Sequence, residues 1–136
     1  MTENRRLPAK GNPFQAANQV GGVGFTIGTE AANAINVALQ LRGVNGGDIA
    51  IRGTVFAYLS DDAYGNSIVA TAPDGGWAIG TDGLLIPVVA NKSAFFTSES
   101  DGDIDVTITE SSTKTCYLVV VLPDGSLVVS SAITFA

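Results

Sequence analysis

Apolar and polar residues alternate with a period of two along most of the chain after residue 20. The alternation is clearest in residues 35–41, 49–59 and 103–109. Such a pattern turns one side of a strand toward a core and the other toward water, because successive side chains of a strand point to opposite sides. It therefore predicts a series of half-buried β-strands.

Short turn signals separate these segments. Asparagine or aspartate followed by glycine supplies the positive φ that tight hairpin turns require. The clearest examples are Asn45-Gly46, Asp82-Gly83, Asp101-Gly102 and Asp124-Gly125. Many short strands spaced by such turns predict an all-β fold, an antiparallel immunoglobulin-like β-sandwich, in one domain over residues 30–136.

Residues 29–43 fit two different elements. They are rich in alanine between a capping residue, Thr29, and Gly43, which is typical of a helix. The strict alternation within residues 35–41 instead favours a strand, and it continues directly into the Asn45-Gly46 turn. We favour a strand over residues 34–42.

Residues 115–122 are apolar on both sides of the strand that they predict. Cys116 and Leu118 share one side, and Tyr117, Val119 and Val121 share the other. A strand that is apolar on both sides is normally buried on both faces. In a two-sheet sandwich, the second side would then need cover from an N-terminal arm or from another subunit. A mean hydropathy of +0.30 points in the same direction.

The first 29 residues differ from the rest in charge, and about the first 20 of them show no periodic pattern. They hold three basic residues and one acidic residue, whereas residues 30–136 hold four basic and twelve acidic ones. We interpret residues 1–29 as an extended arm that reaches an acidic face of a neighbouring copy, the alternative being a frayed terminus. The predicted partner-binding residues are Arg5, Arg6, Leu7, Lys10 and Phe14 in this arm, together with Trp77, whose flanking glycines suggest a loop tip as an alternative to core packing.

Composition narrows the function further. A net charge of −6 disfavours nucleic acid and membrane surfaces as partners, since both are polyanions. The chain has no histidine, and its one cysteine, Cys116, can form neither an internal disulfide nor a thiolate metal site. Pro8 and Lys10 interrupt any signal-like apolar run after Arg5 and Arg6, so synthesis in the cytoplasm is expected. We predict no catalytic residues and no cofactor.

One acidic cluster could hold a hard cation. Asp101, Asp103 and Asp105 share one side of a predicted strand, and three carboxylates at this spacing suit calcium. We favour a solvated strand face that discourages aggregation, because strand carboxylates are usually exposed. No metal site is therefore predicted, with these three aspartates as the weak candidates.

The order of several segments resembles small immunoglobulin-like virion proteins of tailed bacteriophages. The resemblance covers residues 33–136 and carries no catalytic motif. Its segments are residues 35–41, 53–62, 81–83, 98–110 and 117–125. It implies a head decoration, or cement, protein on the capsid surface that binds the major capsid protein and bridges neighbouring subunits. The apolar second side of residues 115–122 and the mean hydropathy add the expectation that the chain associates with itself as a dimer or trimer.

A second hypothesis comes from a different class. A tail- or fibre-associated carbohydrate-binding module would use Trp77, Tyr64 and the aspartate-rich loops as its ligand platform. Both hypotheses describe a protein that is not an enzyme.

Overall fold

The computed structural model describes residues 17–136, and within this range the chain forms ten β-strands. None of the described residues belongs to a helix that is long and apolar enough to span a bilayer. The strands, in chain order, are β1 (Val20–Ile27), β2 (Ala34–Gly43), β3 (Thr54–Ser60), β4 (Gly76–Ile79), β5 (Leu84–Val89), β6 (Ser93–Thr97), β7 (Asp103–Thr109), β8 (Lys114–Val121), β9 (Leu127–Val129) and β10 (Ile133–Phe135).

These strands form two antiparallel sheets. Sheet A has the order β1-β2-β7-β4, and sheet B has the order β10-β8-β3-β6-β5, with β9 also paired to β8. The inward side chains of both sheets belong to one core cluster, which includes Val37 and Ile108 from sheet A and Leu118 and Phe96 from sheet B. The prediction of an all-β fold built from antiparallel sheets is confirmed.

The ambiguous segment before the first predicted turn is a strand. In β2, Ile35, Val37, Leu39 and Leu41 are each no more than 2% exposed, while the residues between them point outward. A helix over the same residues would spread these four side chains around its circumference and leave part of them in water. The strand hypothesis for residues 34–42 is confirmed.

The sheet begins inside the range that the sequence assigns to an arm. Val20–Ile27 form β1 and pair with β2 from Val20↔Gly43 to Ile27↔Val37. Three glycines, at positions 21, 22 and 24, hide the alternation of this strand in the sequence. The arm hypothesis for residues 1–29 therefore needs a correction over β1, and residues 1–16 lie outside the described part of the chain.

Close packing at one turn explains why glycine is required there. Gly102 has a φ of 86°, and a Cβ atom at this position would lie 2.9 Å from the Leu41 carbonyl oxygen and 2.5 Å from the Gln40 amide nitrogen. The Gly102 carbonyl also accepts a 2.9 Å hydrogen bond from the Leu41 N–H. This turn leads directly into β7 and fixes the register of its aspartates.

Candidate functional site

Of the predicted partner-binding residues, Trp77 lies in the part of the chain that the structure describes. Arg5, Arg6, Leu7, Lys10 and Phe14 lie outside the described residues, so their role stays a prediction. Trp77 lies in β4 and is only 7% exposed.

Trp77 is a core residue and not a loop-tip residue. Its ring packs against Phe96 in an edge-to-face arrangement with the centroids 5.4 Å apart. Its indole nitrogen is buried and has no hydrogen-bond partner among the described residues. The loop-tip interpretation is wrong. Gly75 and Gly76 lead into β4 and Gly80 follows it, but the ring of Trp77 between them is buried and presents no open face to a ligand.

The three weak metal candidates do not converge on one point. The Asp105 carboxylate accepts hydrogen bonds from Asn36 and from the Thr81 backbone and hydroxyl, the latter two at 3.0 and 2.8 Å. The Asp101 carboxylate accepts a 3.2 Å bond from the backbone of Asp103. Among the described residues, no group of three or more acidic or cysteine side chains is arranged to hold a metal ion.

The carboxylates of β7 are in opposite electrostatic situations. The pKa of Asp105 is lowered, chiefly by the Asn36 amide and then by Thr81. The pKa of Asp103 is raised, first by partial burial and then by the negative charges of Asp101, Asp82 and Asp48. Asp103 lines a shallow groove of about 370 Å³ on the outer face of sheet A, whose floor is formed by small residues such as Gly24 and Ala38.

This contrast predicts that replacing aspartate by asparagine changes the melting temperature in opposite directions at positions 103 and 105. Near pH 7, we expect Asp103→Asn to raise the melting temperature. The pKa of Asp103 in the folded state lies above its ordinary value of 3.8. The stability of the fold therefore falls as pH rises from 3.8 through the folded-state pKa, and the full penalty applies above that pKa. The benefit should therefore shrink at about pH 3, where Asp103 is protonated in both states.

Asp105→Asn is the matched control. In the unaltered chain, the lowered pKa of the Asp105 carboxyl stabilises the folded state above pH 3.8, and this contribution is lost as pH falls from 3.8 toward the folded-state pKa. Asp105→Asn should therefore lower the melting temperature near neutral pH. Thermal unfolding followed by circular dichroism at both pH values measures both effects, and a loss of stability in both variants at neutral pH would contradict the assignment.

Cys116 is chemically inert in the folded protein. It is completely buried in β8, and burial raises the pKa of its thiol to about 11. A thiol with such a pKa is almost entirely protonated near neutral pH, so it offers neither a nucleophile nor a metal ligand.

A row of apolar side chains crosses the outer face of sheet B. Pairing places each member directly opposite the next on the neighbouring strand, over five strands, so the row is roughly 20 Å long. Its outermost members, Ile86 and Leu127, are 55% and 44% exposed. We call it the apolar row, and its members are Ile86, Phe95, Phe56, Val121 and Leu127.

The face that carries the apolar row holds no charge on its described strand residues. The outward positions of β3, β5, β6, β8 and β9 are occupied only by apolar, aromatic, threonine or serine residues. The rings of Phe56 and Phe95 pack edge to face at 5.4 Å, which fixes the centre of the row. Sheet A contrasts with this, since its outer face carries Arg42, Asp103 and Asp105.

A loop of the same chain covers the neighbouring part of this face. We call residues 61–68 the lid loop. Gly65 rests on Val119, because a Cβ atom at Gly65 would lie 3.3 Å from the Val119 methyl carbons, and Val119 is fully buried. The second side of β8 is thus covered at Val119 by the chain itself, whereas the sequence predicted an arm or another subunit there.

The lid loop is held by its own hydrogen bonds. The Asp62 carboxylate accepts bonds from the backbone of Asn66 at 3.0 Å and of Tyr64 at 2.8 Å, and its pKa is lowered first by the bond from Asn66 and then by the bond from Tyr64. The Tyr58 hydroxyl donates to the Gly65 carbonyl at 2.5 Å. The loop is therefore a fixed wall beside the apolar row.

A hollow of about 290 Å³ lies between the lid loop and the apolar row. Its lining is mostly apolar, and Ile68 on its rim is 48% exposed. We call it the hollow, and it is lined by Phe56, Tyr58, Gly65, Asn66, Ile68 and Ser93. The outer face of sheet B thus combines a projecting row with an adjacent depression, which is the geometry of a protein-binding surface.

Sequence reasoning missed the edge strand that completes this face. β5 consists entirely of apolar residues, yet five of its six residues are exposed. A continuous apolar segment normally indicates a buried strand. The mismatch between its composition and its exposure is visible only once the strand order places β5 at the edge of sheet B.

Comparison of the chain with protein-family models, with curated proteins and with solved structures finds no match.

Proposed function

We propose that this chain is a non-enzymatic structural protein of a tailed-phage virion, a head decoration protein that binds the outer shell and bridges neighbouring capsid subunits. The observation that carries the proposal is the apolar row, displayed on an uncharged sheet face. Contiguous exposed apolar surface of several hundred Å² marks sites of protein–protein contact.

The architecture suits a mechanical role. Both sheets share one continuous core, so the outer face of sheet B is held on a rigid support. A rigid surface loses little conformational entropy on binding, which favours attachment without rearrangement. Repetition over a symmetric shell adds avidity, so each individual contact can be modest.

The strand order supports an immunoglobulin-like variant as the finer description of the fold. In sheet A, β1, β2 and β7 occupy the positions of the first, second and fifth strands of that family's constant-type domains, with β4 beside β7. In sheet B, β10, β8 and β3 follow the order of the opposing sheet. The departure is the β5–β6 hairpin, which follows β4 in the chain and extends sheet B beyond β3.

The carbohydrate-binding alternative depends on an accessible Trp77 ring. Trp77 is buried against Phe96, and Tyr64, although 77% exposed, is then a single aromatic side chain on the lid loop. Sugar-binding platforms need an accessible aromatic face. The decoration hypothesis is therefore the one that we carry forward.

Co-sedimentation tests the proposal. The purified full chain is mixed with expanded heads assembled from the major capsid protein of the same genome and pelleted at physiological salt. We expect saturable pelleting at a fixed stoichiometry. Phe95→Lys, which charges the centre of the apolar row, should reduce binding at least tenfold by weakening a central contact.

Ala78→Lys is the matched control, because it adds the same charge to an exposed position on the outer side of sheet A. It should pellet like the unaltered chain. If the unaltered chain stays in the supernatant at every head concentration, the decoration hypothesis is wrong.

A further inference from the structure

We propose that residues 1–16 of this chain bind to the outer face of sheet A of the same molecule, with Lys10 beside Asp82 and Asp103. The binding site is the groove of about 370 Å³ on that face, which we call the acidic groove. It lies on the opposite sheet from the apolar row, so the inference goes beyond the proposed function and does not rest on it. The charged and amide side chains that line the acidic groove are those of Asn36, Gln40, Arg42, Asp82, Asp103 and Asp105.

The acidic groove carries more negative than positive charge. Three carboxylates line it, and Arg42 is the one basic residue among its described lining. The Arg42 guanidinium lies against Gly24, where a Cβ atom would be 2.9 Å from one of its nitrogens, and its Nε atom is 3.7 Å from an Asp48 carboxylate oxygen. Asp82 and Asp103 have no ion-pair partner within residues 17–136. The groove is therefore open to a further cation.

The surroundings of Asp103 favour the binding of a basic side chain. Its pKa is raised first by partial burial and then by the negative charges of Asp101, Asp82 and Asp48. A cation between Asp82 and Asp103 would remove part of this repulsion, because an opposite charge stabilises the ionised form of a carboxyl group. A carboxylate that stands alone on a solvated strand offers no such gain.

The other basic residues of the described chain lie elsewhere. Arg52 pairs with Glu99 at 3.4 Å, Lys92 donates a 2.9 Å hydrogen bond to the Ala70 carbonyl, and Lys114 begins β8 in sheet B. Residues 1–16 hold three basic residues and one acidic residue, a net charge of +2, which is opposite in sign to that of the groove. These three basic residues are Arg5, Arg6 and Lys10.

The start of β1 lies within reach of the acidic groove. Val20 pairs with Gly43 on β2, and Asp103 pairs with Gln40 on the far side of the same strand. Three residues along the sheet and two strands across it place Val20 and Asp103 roughly 14 Å apart. Lys10 precedes Val20 by ten residues, which can span up to roughly 33 Å.

This tether favours the same molecule over a second copy as the source of the segment. A short connection holds a ligand near its site at an effective concentration on the order of millimolar. In a dilute solution, the segments of other copies are far less concentrated than this. Binding within one molecule is therefore expected to be independent of protein concentration.

The contact is expected to be weak and sensitive to salt. Exposed ion pairs contribute little individually, because water and dissolved ions screen them. The segment should therefore bind reversibly and dissociate as NaCl rises from about 20 mM to about 500 mM. Weak binding offsets only part of the repulsion at Asp103, so the stabilisation expected from Asp103→Asn keeps its sign.

Paramagnetic relaxation in the full chain tests the inference. A nitroxide label is attached to the variant Ala9→Cys, since the buried thiol of Cys116 is inert in the folded protein. We expect the label to broaden the amide signals of Gly24 and Ala38, on the floor of the groove, at about 20 mM NaCl and much less at about 500 mM. Adding Lys10→Glu should reduce this broadening about threefold or more, because an attraction becomes a repulsion.

Lys114→Glu is the matched control, because it changes the net charge by the same amount in sheet B. Added to the labelled chain, it should leave the broadening unchanged. A mixture of nitroxide-labelled chain with isotope-labelled chain that carries no nitroxide detects binding to a second copy, and we expect no broadening in it. Broadening that persists in Lys10→Glu or at high salt overturns the inference, as does equal broadening in the mixture. These outcomes are independent of whether the chain binds heads.

Discussion

Replacing Trp77 by alanine should lower the free energy of unfolding by about 3–5 kcal/mol, the range typical of deleting a large buried aromatic side chain. The ring lies between the two sheets and contacts Phe96, so its loss leaves a cavity that both sheets would have to close. Urea unfolding followed by far-ultraviolet circular dichroism measures the change, since the variant has no other tryptophan to report fluorescence.

Two further variants separate packing from surface effects. Tyr64→Ala should change stability by no more than about 0.5 kcal/mol, because Tyr64 is 77% exposed. Trp77→Phe should cost clearly less than Trp77→Ala, because it keeps a ring against Phe96 and removes an indole N–H that has no acceptor among the described residues. A fully stable Trp77→Ala protein would contradict the core assignment.

Gly102→Ala should cost about 2–5 kcal/mol, of which one part is backbone strain and the other is overpacking. The strain arises because alanine disfavours a φ of 86°, and the overpacking arises because the new methyl group meets the Leu41 carbonyl oxygen at 2.9 Å. Equilibrium urea unfolding measures the total.

Gly125→Ala isolates the strain. Gly125 has nearly the same φ, 89°, but no atom lies within 4 Å of the position that its Cβ would take. We expect about 1–2 kcal/mol for this variant. Equal losses at both positions would show that the close approach to Leu41 contributes nothing.

The sequence predicted the elements whose local pattern is complete. Strands β2 and β7 alternate strictly, and each has one buried side. Four of the five Asn-Gly or Asp-Gly pairs have a glycine with a positive φ, namely Gly46, Gly83, Gly102 and Gly125, whereas in the fifth pair, Asp74-Gly75, the positive φ falls on the next residue, Gly76. In each case the physical cause, a periodic side chain or a missing Cβ, lies within a few residues of its effect.

The elements that were missed depend on distant neighbours. β1 pairs with β2 in spite of glycines that carry no pattern, and the exposure of β5 follows from its position at a sheet edge. One part of the candidate surface was predicted from the sequence and another part was not. The apolar outer side of β8 was recognised from Tyr117, Val119 and Val121, but the lid loop that covers Val119 folds back through hydrogen bonds of Asp62 and Tyr58. No periodicity encodes such a contact.

The buried thiol of Cys116 can report how often the folded protein opens. A thiol-specific reagent cannot reach this fully buried side chain of β8 unless the neighbouring strands separate, so each modified molecule has opened at least once. The rate at which label accumulates in native buffer then reports how often the fold opens. Attachment to a neighbour should slow that rate without any change at the sulfur itself.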